Sequence, residues 1–271
     1  MASEPTVNIS IAGIGLQIDC RPAAVAHTLA AYYHPFSGAP PRMQAEIEVC
    51  PPVSGALAPD LGQRGRFVDG ALVFAGPAAE GRIDLAQRQA YLKLQAADPA
   101  PEIEYFVRCI FALLLLEHGG LLFHAAGLAL DGRAYLFFGP SGSGKTTVAR
   151  LSPQAQTLND DLVALMPSPQ GWIAHATPFW NPTQAPPSHS QAPVAGFYRL
   201  VQARHVTCEP LAPAQALAEF VASAPVVSAD PSRSAALMGR GLEALAHTPA
   251  YRLYFLPDAS FWQVILPPSQ T

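Results

Sequence analysis

"LFFGPSGSGKTTVARL", residues 136–151, decides how the rest of the chain is read. Leu136–Phe138 has the character of an apolar strand end. Gly139–Thr146 then matches G-x-x-x-x-G-K-[ST] at every fixed position, and Val148–Leu151 reads as helix. Glycine suits such a turn because successive backbone N–H groups must point inward to cradle phosphate oxygens. A helix starting near Gly144 adds the positive end of its dipole. Lys145 has the reach for β- and γ-phosphates, and the Thr146 hydroxyl for Mg²⁺. The residues expected to hold nucleotide are Gly139, Ser141, Gly142, Ser143, Gly144, Lys145, Thr146 and Thr147. Lysine usage agrees: only Lys93 and Lys145 occur, in a chain that otherwise uses arginine. A lysine is kept where a compact ammonium on a flexible stem is wanted.

Working outward, Asp160 and Asp161 are the only acidic residues between Asp131 and Glu209. Their distance from Lys145 suits a crossover helix and a return strand beside the loop. One carboxylate can hold Mg²⁺, directly or through water. The other can accept a proton from an attacking hydroxyl. Asn159-Asp160-Asp161 is equally a good turn sequence. His124 lies on "LLFHAAGLAL", the apolar strand feeding a hairpin that turns at Asp131-Gly132. A histidine there is commonly a satisfied core residue, yet this strand leads to the loop, where an imidazole orients an aspartate or a phosphate. Weaker candidates are Asn181, at the end of "HATPFWNP", and Arg199, Arg204, Arg240 and Arg252, any of which suits phosphoryl charge.

Composition narrows the classes. Half of the 271 residues are hydrophobic, enough for a large core in one or two domains. Net charge is −4 with no basic stripe, which argues against a nucleic-acid partner. Cys20, Cys50, Cys109 and Cys208 are widely spaced, so neither a zinc cluster nor a disulfide framework is expected. That usage, and a start lacking a basic region before an apolar run, suggest the cytoplasm. The apolar run 109–116 is far short of the ~20 residues a membrane span needs. A buried helix over 103–118 is expected, suited to pack on the N-terminal unit or on a second copy of the chain.

Two domains are expected, 1–100 and 101–271, with Asp98–Pro101 as linker. The first reads as a small α/β or mostly β unit: a strand or hairpin at 7–19, a helix at 22–36, and short strands at 45–51, 66–76, 81–87 and 90–96. After the loop come strands at either side of Asn159–Asp161, a strand over 171–180, and a mobile loop over 181–193. A strand at 195–203, helices at 213–224 and 231–248, and closing strands at 251–257 and 261–267 complete the chain.

"FHAAGLALDGRAYLFFGPSGSGKTTVARL" followed by "LNDDLVAL" resembles the C-terminal catalytic domain of HPr kinase/phosphorylase, over residues 121–165. The resemblance implies an α/β phosphate-loop domain related to phosphoenolpyruvate carboxykinase, with ATP and Mg²⁺ as cofactors and a protein serine as acceptor. It implies a site role for His124, assigns Asp160 as general base, and places Asp161 with Thr146 on the metal. The downstream Glu-x-Arg-Gly-Leu-Gly type segment of the bifunctional family is absent. "AGFYRLVQARHVTCEPLAP" instead resembles the HPr kinase-related group associated with bacterial clusters for modified peptides, over roughly 101–267. The first hundred residues resemble no named family.

The function expected is therefore phosphotransfer from ATP to a serine of a protein or peptide. Lys145, Asp160 and His124 are the catalytic set, and Thr146 and Asp161 the metal set. The same residues would serve a small-molecule kinase, or a nucleotide-binding module that transfers nothing.

Overall fold

The computed structural model describes residues 6–52, 59–181 and 189–266. It is a mixed α/β chain with two sheets, divided into two units, Met1–Leu114 and Leu115–Thr271.

The N-terminal unit is built on β1 (Thr6–Ile11), β2 (Ile14–Arg21), α1 (Ala23–Tyr33), β3 (Pro41–Cys50), the single turn α2 (Leu61–Arg64), β4 (Gly65–Val68), β5 (Ala71–Gly76), β6 (Ala79–Asp84) and β7 (Gln89–Gln95). Its sheet runs β1-β2-β3-β7-β6-β5-β4, parallel at β2–β3 and β3–β7 and antiparallel elsewhere. Period-2 patterning gives the strands one inner face. Met43, Ala45 and Ile47 of β3 and Ala90, Leu92 and Leu94 of β7 are buried, while Glu46, Glu48, Tyr91 and Lys93 between them are exposed. The first hairpin turns at Ala12-Gly13, both with positive φ, as a two-residue connection requires.

The division between units falls within α3 (Ala100–Glu117), whose start is marked by the Asp98 carboxylate accepting from the Ala100 N–H at 3.2 Å. Among the described residues no helix is long and apolar enough to cross a membrane.

The C-terminal unit continues with β8 (Leu121–Leu130), β9 (Arg133–Phe138), α4 (Lys145–Arg150), β10 (Gln156–Asn159), β11 (Leu162–Ser168), β12 (Gly171–His175), β13 (Gln191–Gln202), β14 (Thr207–Pro210), α5 (Pro213–Ala222), α6 (Ser234–His247), β15 (Ala250–Phe255) and α7 (Phe261–Ile265). The β8–β9 hairpin turns at Asp131-Gly132, both with positive φ. β8 is the hub. On one side its Ala125–Leu130 pairs with β9; on the other, β10 and then β11 pair with it in succession. The pairings β8–β11–β12–β13–β9–β8 form a closed ring, possible because β13 is twelve residues long and serves β12, β9 and β15 in turn. Phe123, Phe138, Phe197 and Phe220 pack together in this unit, and Phe137, Tyr198, Phe255, Phe261 and Trp262 form a second aromatic group.

Four expectations change. The return strand after the loop, β10, pairs with β8 and so lies one strand away from β9 rather than beside it. Strand β12 ends at His175, because Thr177 turns its hydroxyl to the Leu162 carbonyl (2.6 Å) and draws the chain out of the ladder. Of the loop expected over 181–193, residues 182–188 lie outside the described residues, and Gln191–Pro193 already pair with β12. The closing strand over 261–267 is helix α7 at Phe261–Ile265. Phe261 and Trp262 are both buried, and the Trp262 indole N–H donates to Ser152 Oγ at 2.9 Å.

Candidate functional site

The glycine-rich loop leaves β9 at Gly139 and ends in α4. Gly144 starts that helix with φ +109°, and a Cβ there would lie 2.6 Å from Cζ of buried Phe255. Only glycine meets both conditions. α4 itself is six residues, so the loop's own N–H groups and side chains, rather than a long helix dipole, shape this end. Gln202, at the end of β13, donates from Nε2 to the Gly142 carbonyl at 2.8 Å and ties the loop down. The Lys145 side chain folds back over the loop, its Nζ donating to the carbonyls of Gly139 (3.0 Å) and Pro140 (3.2 Å). Its ammonium is buried, and desolvation pulls its pKa below the usual lysine value; Asp161 opposes that shift and Arg199 adds to it. The Ser143 hydroxyl oxygen is buried with no hydrogen-bond partner among the described residues.

The two aspartates occupy the break between β10 and β11. Asn159 pairs with Gly127 and Leu162 with His124, so Asp160 and Asp161 fall opposite Ala125 and Ala126 of β8. On the other side of β8, Ala125 pairs with Phe138, the last residue before the loop. One strand thus sets the loop and the acidic pair at the same level on its two sides.

Asn159 holds the break. Fully buried, it accepts the N–H groups of Asp161 (2.7 Å) and Leu162 (2.8 Å) on Oδ1, and donates from Nδ2 to the Thr177 carbonyl and Oγ1, both at 3.1 Å. All its polar capacity is spent on fixing the backbone that presents the acids. The Asp160 carboxylate is buried and accepts the Asn181 N–H on Oδ1 at 3.1 Å, and the Thr146 side chain lies close enough to favour its charged form. Burial pushes its pKa above the ordinary carboxylate value, against the pull of Asn181 and Thr146. Asp161 is more open and meets His124 Nε2 at 3.0 Å. The His124 N–H donates to the Ser223 carbonyl, just past α5, at 2.7 Å, which fixes the ring's backbone.

The residues singled out from sequence therefore fall in two linked groups. Lys145 shares the loop with Gly139, and Thr146 reaches Asp160; His124 is brought to Asp161. Of the weaker candidates, Asn181 serves through its backbone N–H on Asp160. Arg199 stands beside Gly139, Arg240 is paired with Glu243 on α6, and Arg204 and Arg252 lie on the turn after β13 and on β15. Sequence reading missed the roles of Asn159, Thr177, Gln202 and Glu219, whose carboxylate accepts from Arg199 Nε at 3.0 Å. An Asn directly before the acid pair was the one available signal for Asn159. The other three act across long separations that leave no local pattern.

The donor set can be tested against the expected ligands. A phosphate-bound Mg²⁺ needs only one or two protein oxygens, because phosphates and water supply the rest. The Thr146 hydroxyl and the Asp160 carboxylate beside it fit that need. Among the described residues no group of three or more His, Cys, Asp or Glu is placed to hold a metal ion. The unsatisfied, buried Ser143 hydroxyl in the loop fits a phosphate oxygen.

Fold and site define an α/β unit with a phosphate-loop sequence set against a His–Asp pair and a second, buried aspartate. The chain belongs to the family described as SynChlorMet cassette protein ScmC, whose model matches residues 102–265. No curated protein matches it. Among solved structures it is similar to the Hpr(Ser) kinase/phosphatase from Coxiella burnetii, at 13% identity and a TM-score of 0.29, over 49% of this chain and 84% of that one.

Proposed function

We propose that the chain is a phosphotransferase that moves the γ-phosphoryl group of ATP, with Mg²⁺, to a serine hydroxyl of a protein or peptide. The observation that carries this is that one acidic pair meets two groups: Asp160 lies beside Thr146 of the loop, and Asp161 meets His124 of β8 at 3.0 Å. A phosphate loop alone needs neither pair; phosphoryl transfer to a hydroxyl needs both a metal-side oxygen set and a proton acceptor. The fold in this reading is a phosphate-loop domain of the HPr kinase and phosphoenolpyruvate carboxykinase kind.

The roles follow from the contacts. Sequence resemblance assigned Asp160 the proton and Asp161 the metal; the contacts favour the opposite division. Asp160, on the Thr146 hydroxyl, sits with Thr146 on the metal side. Asp161, more open and paired with His124, takes the proton of the attacking hydroxyl. Mg²⁺, when bound, offsets the charge that develops on the phosphates. Lys145 swings from the Gly139 and Pro140 carbonyls to the β- and γ-phosphates, and His124 orients the Asp161 carboxylate. In the transfer the serine oxygen forms its bond to the γ-phosphorus as the bond to the ADP oxygen breaks. The serine proton passes to Asp161.

The family description names a cassette protein, so products of such a cassette are the first acceptors to try. Purified protein, Mg²⁺ and γ-³²P-ATP are incubated with those products and with host extract. Label in a protein or peptide serine, lost in Asp161→Asn while ATP binding persists, is the expected result. Label only in small molecules would overturn the acceptor class. Bound ATP with no transfer to any acceptor would leave a nucleotide-binding module and sink the enzyme reading.

A further inference from the structure

Arg199 is not used by the chemistry above, yet it stands at the loop. In the β13–β9 pairing it lies across from Phe138, the last residue before Gly139. Its Nη1, which also donates to the Leu200 carbonyl, comes within 3.4 Å of where a Gly139 Cβ would sit, and Lys145 Nζ is 3.0 Å from the Gly139 carbonyl. Two cations from different elements thus converge on one glycine. Each is offset by a carboxylate: Asp161 acts on Lys145, and Glu219 of α5 accepts from Arg199 Nε at 3.0 Å. The Arg199–Glu219 pair is mostly withdrawn from solvent, at 19% and 28% side-chain exposure. A guanidinium fork suits phosphate as well as carboxylate, so a phosphate oxygen can take the place a Glu holds.

The neighbouring contacts fix where that fork acts. Lys145 reaches the β- and γ-phosphates, and Arg199 shares its end of the loop. Arg199 is held on a rigid strand paired on both sides, by β9 and β15. Glu219 is on a helix whose Phe220 packs on Phe123 and Phe197, so both partners are rigidly placed. Ser223, four residues beyond Glu219, takes the His124 N–H on its carbonyl. The helix that restrains Arg199 therefore also holds the backbone of the His–Asp pair.

We propose that Arg199 is a γ-phosphate-binding residue kept in reserve by Glu219, exchanging that carboxylate for the terminal phosphate of a nucleoside triphosphate. This rests on the reading of the loop as a nucleotide site. The ligand class it selects is a triphosphate over a diphosphate.

The test is equilibrium binding of ATP and of ADP, each with Mg²⁺, to the full chain and its variants by calorimetry. Arg199→Gln is expected to weaken ATP about tenfold or more, near the value of one charge-assisted hydrogen bond, and to leave ADP within about threefold. Retained ADP binding certifies that this variant is folded. Glu219→Gln is expected to keep or strengthen ATP binding, because it removes the competing carboxylate. A purely structural ion pair predicts the contrary: both variants weaken both nucleotides alike, and that result overturns the proposal. Unchanged ATP affinity in Arg199→Gln also overturns it, while the nucleotide reading stands. Absence of ATP binding by the wild-type chain overturns the nucleotide reading itself, and this proposal with it.

Discussion

Replacing Asn159 by Ala isolates what holds the acidic pair in place. The side chain is fully buried and makes four hydrogen bonds, two accepted from Asp161 and Leu162 N–H and two donated to Thr177. Alanine leaves those backbone donors without their acceptor in the interior and opens a small void. At roughly 1 kcal/mol net per hydrogen bond, and more for a buried group left unsatisfied, the loss is about 3–5 kcal/mol. That is a large part of the 5–15 kcal/mol typical of a domain. Urea unfolding followed by tryptophan fluorescence measures it, since Trp172 and Trp262 are buried in the C-terminal unit. Asn159→Asp is the companion variant: it keeps the acceptor, loses the donor and adds a buried charge beside two others, so it is expected to be no better than alanine. A loss below about 1 kcal/mol in Asn159→Ala would refute the clamp and imply that the strand pairings alone fix the break.

Two glycines of one loop should respond differently. Gly144→Ala meets both a φ of +109° and Phe255 at 2.6 Å, whereas Gly142→Ala meets a φ of +77° in open space. Denaturation should show about 1–2 kcal/mol for Gly142→Ala and clearly more for Gly144→Ala; equal losses would contradict the packing described. The His175 imidazole is pushed down to about 4 by burial, with His189 adding to the shift. Above pH 6.5 it is neutral whether folded or not, and its contribution is complete. As pH falls from 6.5 toward 4 the unfolded chain protonates first, so stability drops by about 2–3 kcal/mol. His175→Gln should lack that part of the acid slope, and an unchanged slope would count against its burial. Burial pushes the thiols of Cys20 and Cys208 up to about 11 and of Cys109 up to about 12. Native protein treated with a disulfide reagent at pH 8 should therefore leave Cys20, Cys109 and Cys208 slow, and fast modification of any of them, read from the matching Cys→Ser variants, would refute this.

What was legible in the sequence was local. The glycine loop carries its own pattern, and N-terminal strands were readable where residues alternate, as at Ala45 and Ile47 within the expected 45–51, although β3 begins earlier, at Pro41. Asp131-Gly132 and the helix ranges were readable for the same reason. What was not legible depends on partners distant along the chain. Thr177, beyond the end of β12, donates to the Leu162 carbonyl and accepts from Asn159, fifteen and eighteen residues earlier. Gln202 fixes the loop from sixty residues beyond Gly142. "FWQVIL" is apolar enough for strand or helix, and only the core that takes both Phe261 and Trp262 decides. The acidic pair was found, but its division between Thr146 and His124 depends on β8 placing the loop on one side and the pair on the other. A single strand read from sequence does not reveal how many neighbours it has.

The central claim is that the loop, the acidic pair and His124 form one phosphate site. A crystal structure with Mg²⁺ and a non-hydrolysable ATP analogue tests it most directly. The account predicts the triphosphate within Gly139–Thr146, Lys145 Nζ moved from the loop carbonyls onto it, and the terminal phosphoryl facing Asp161 and His124. A nucleotide bound elsewhere, or a terminal phosphoryl turned away from that pair, would contradict it.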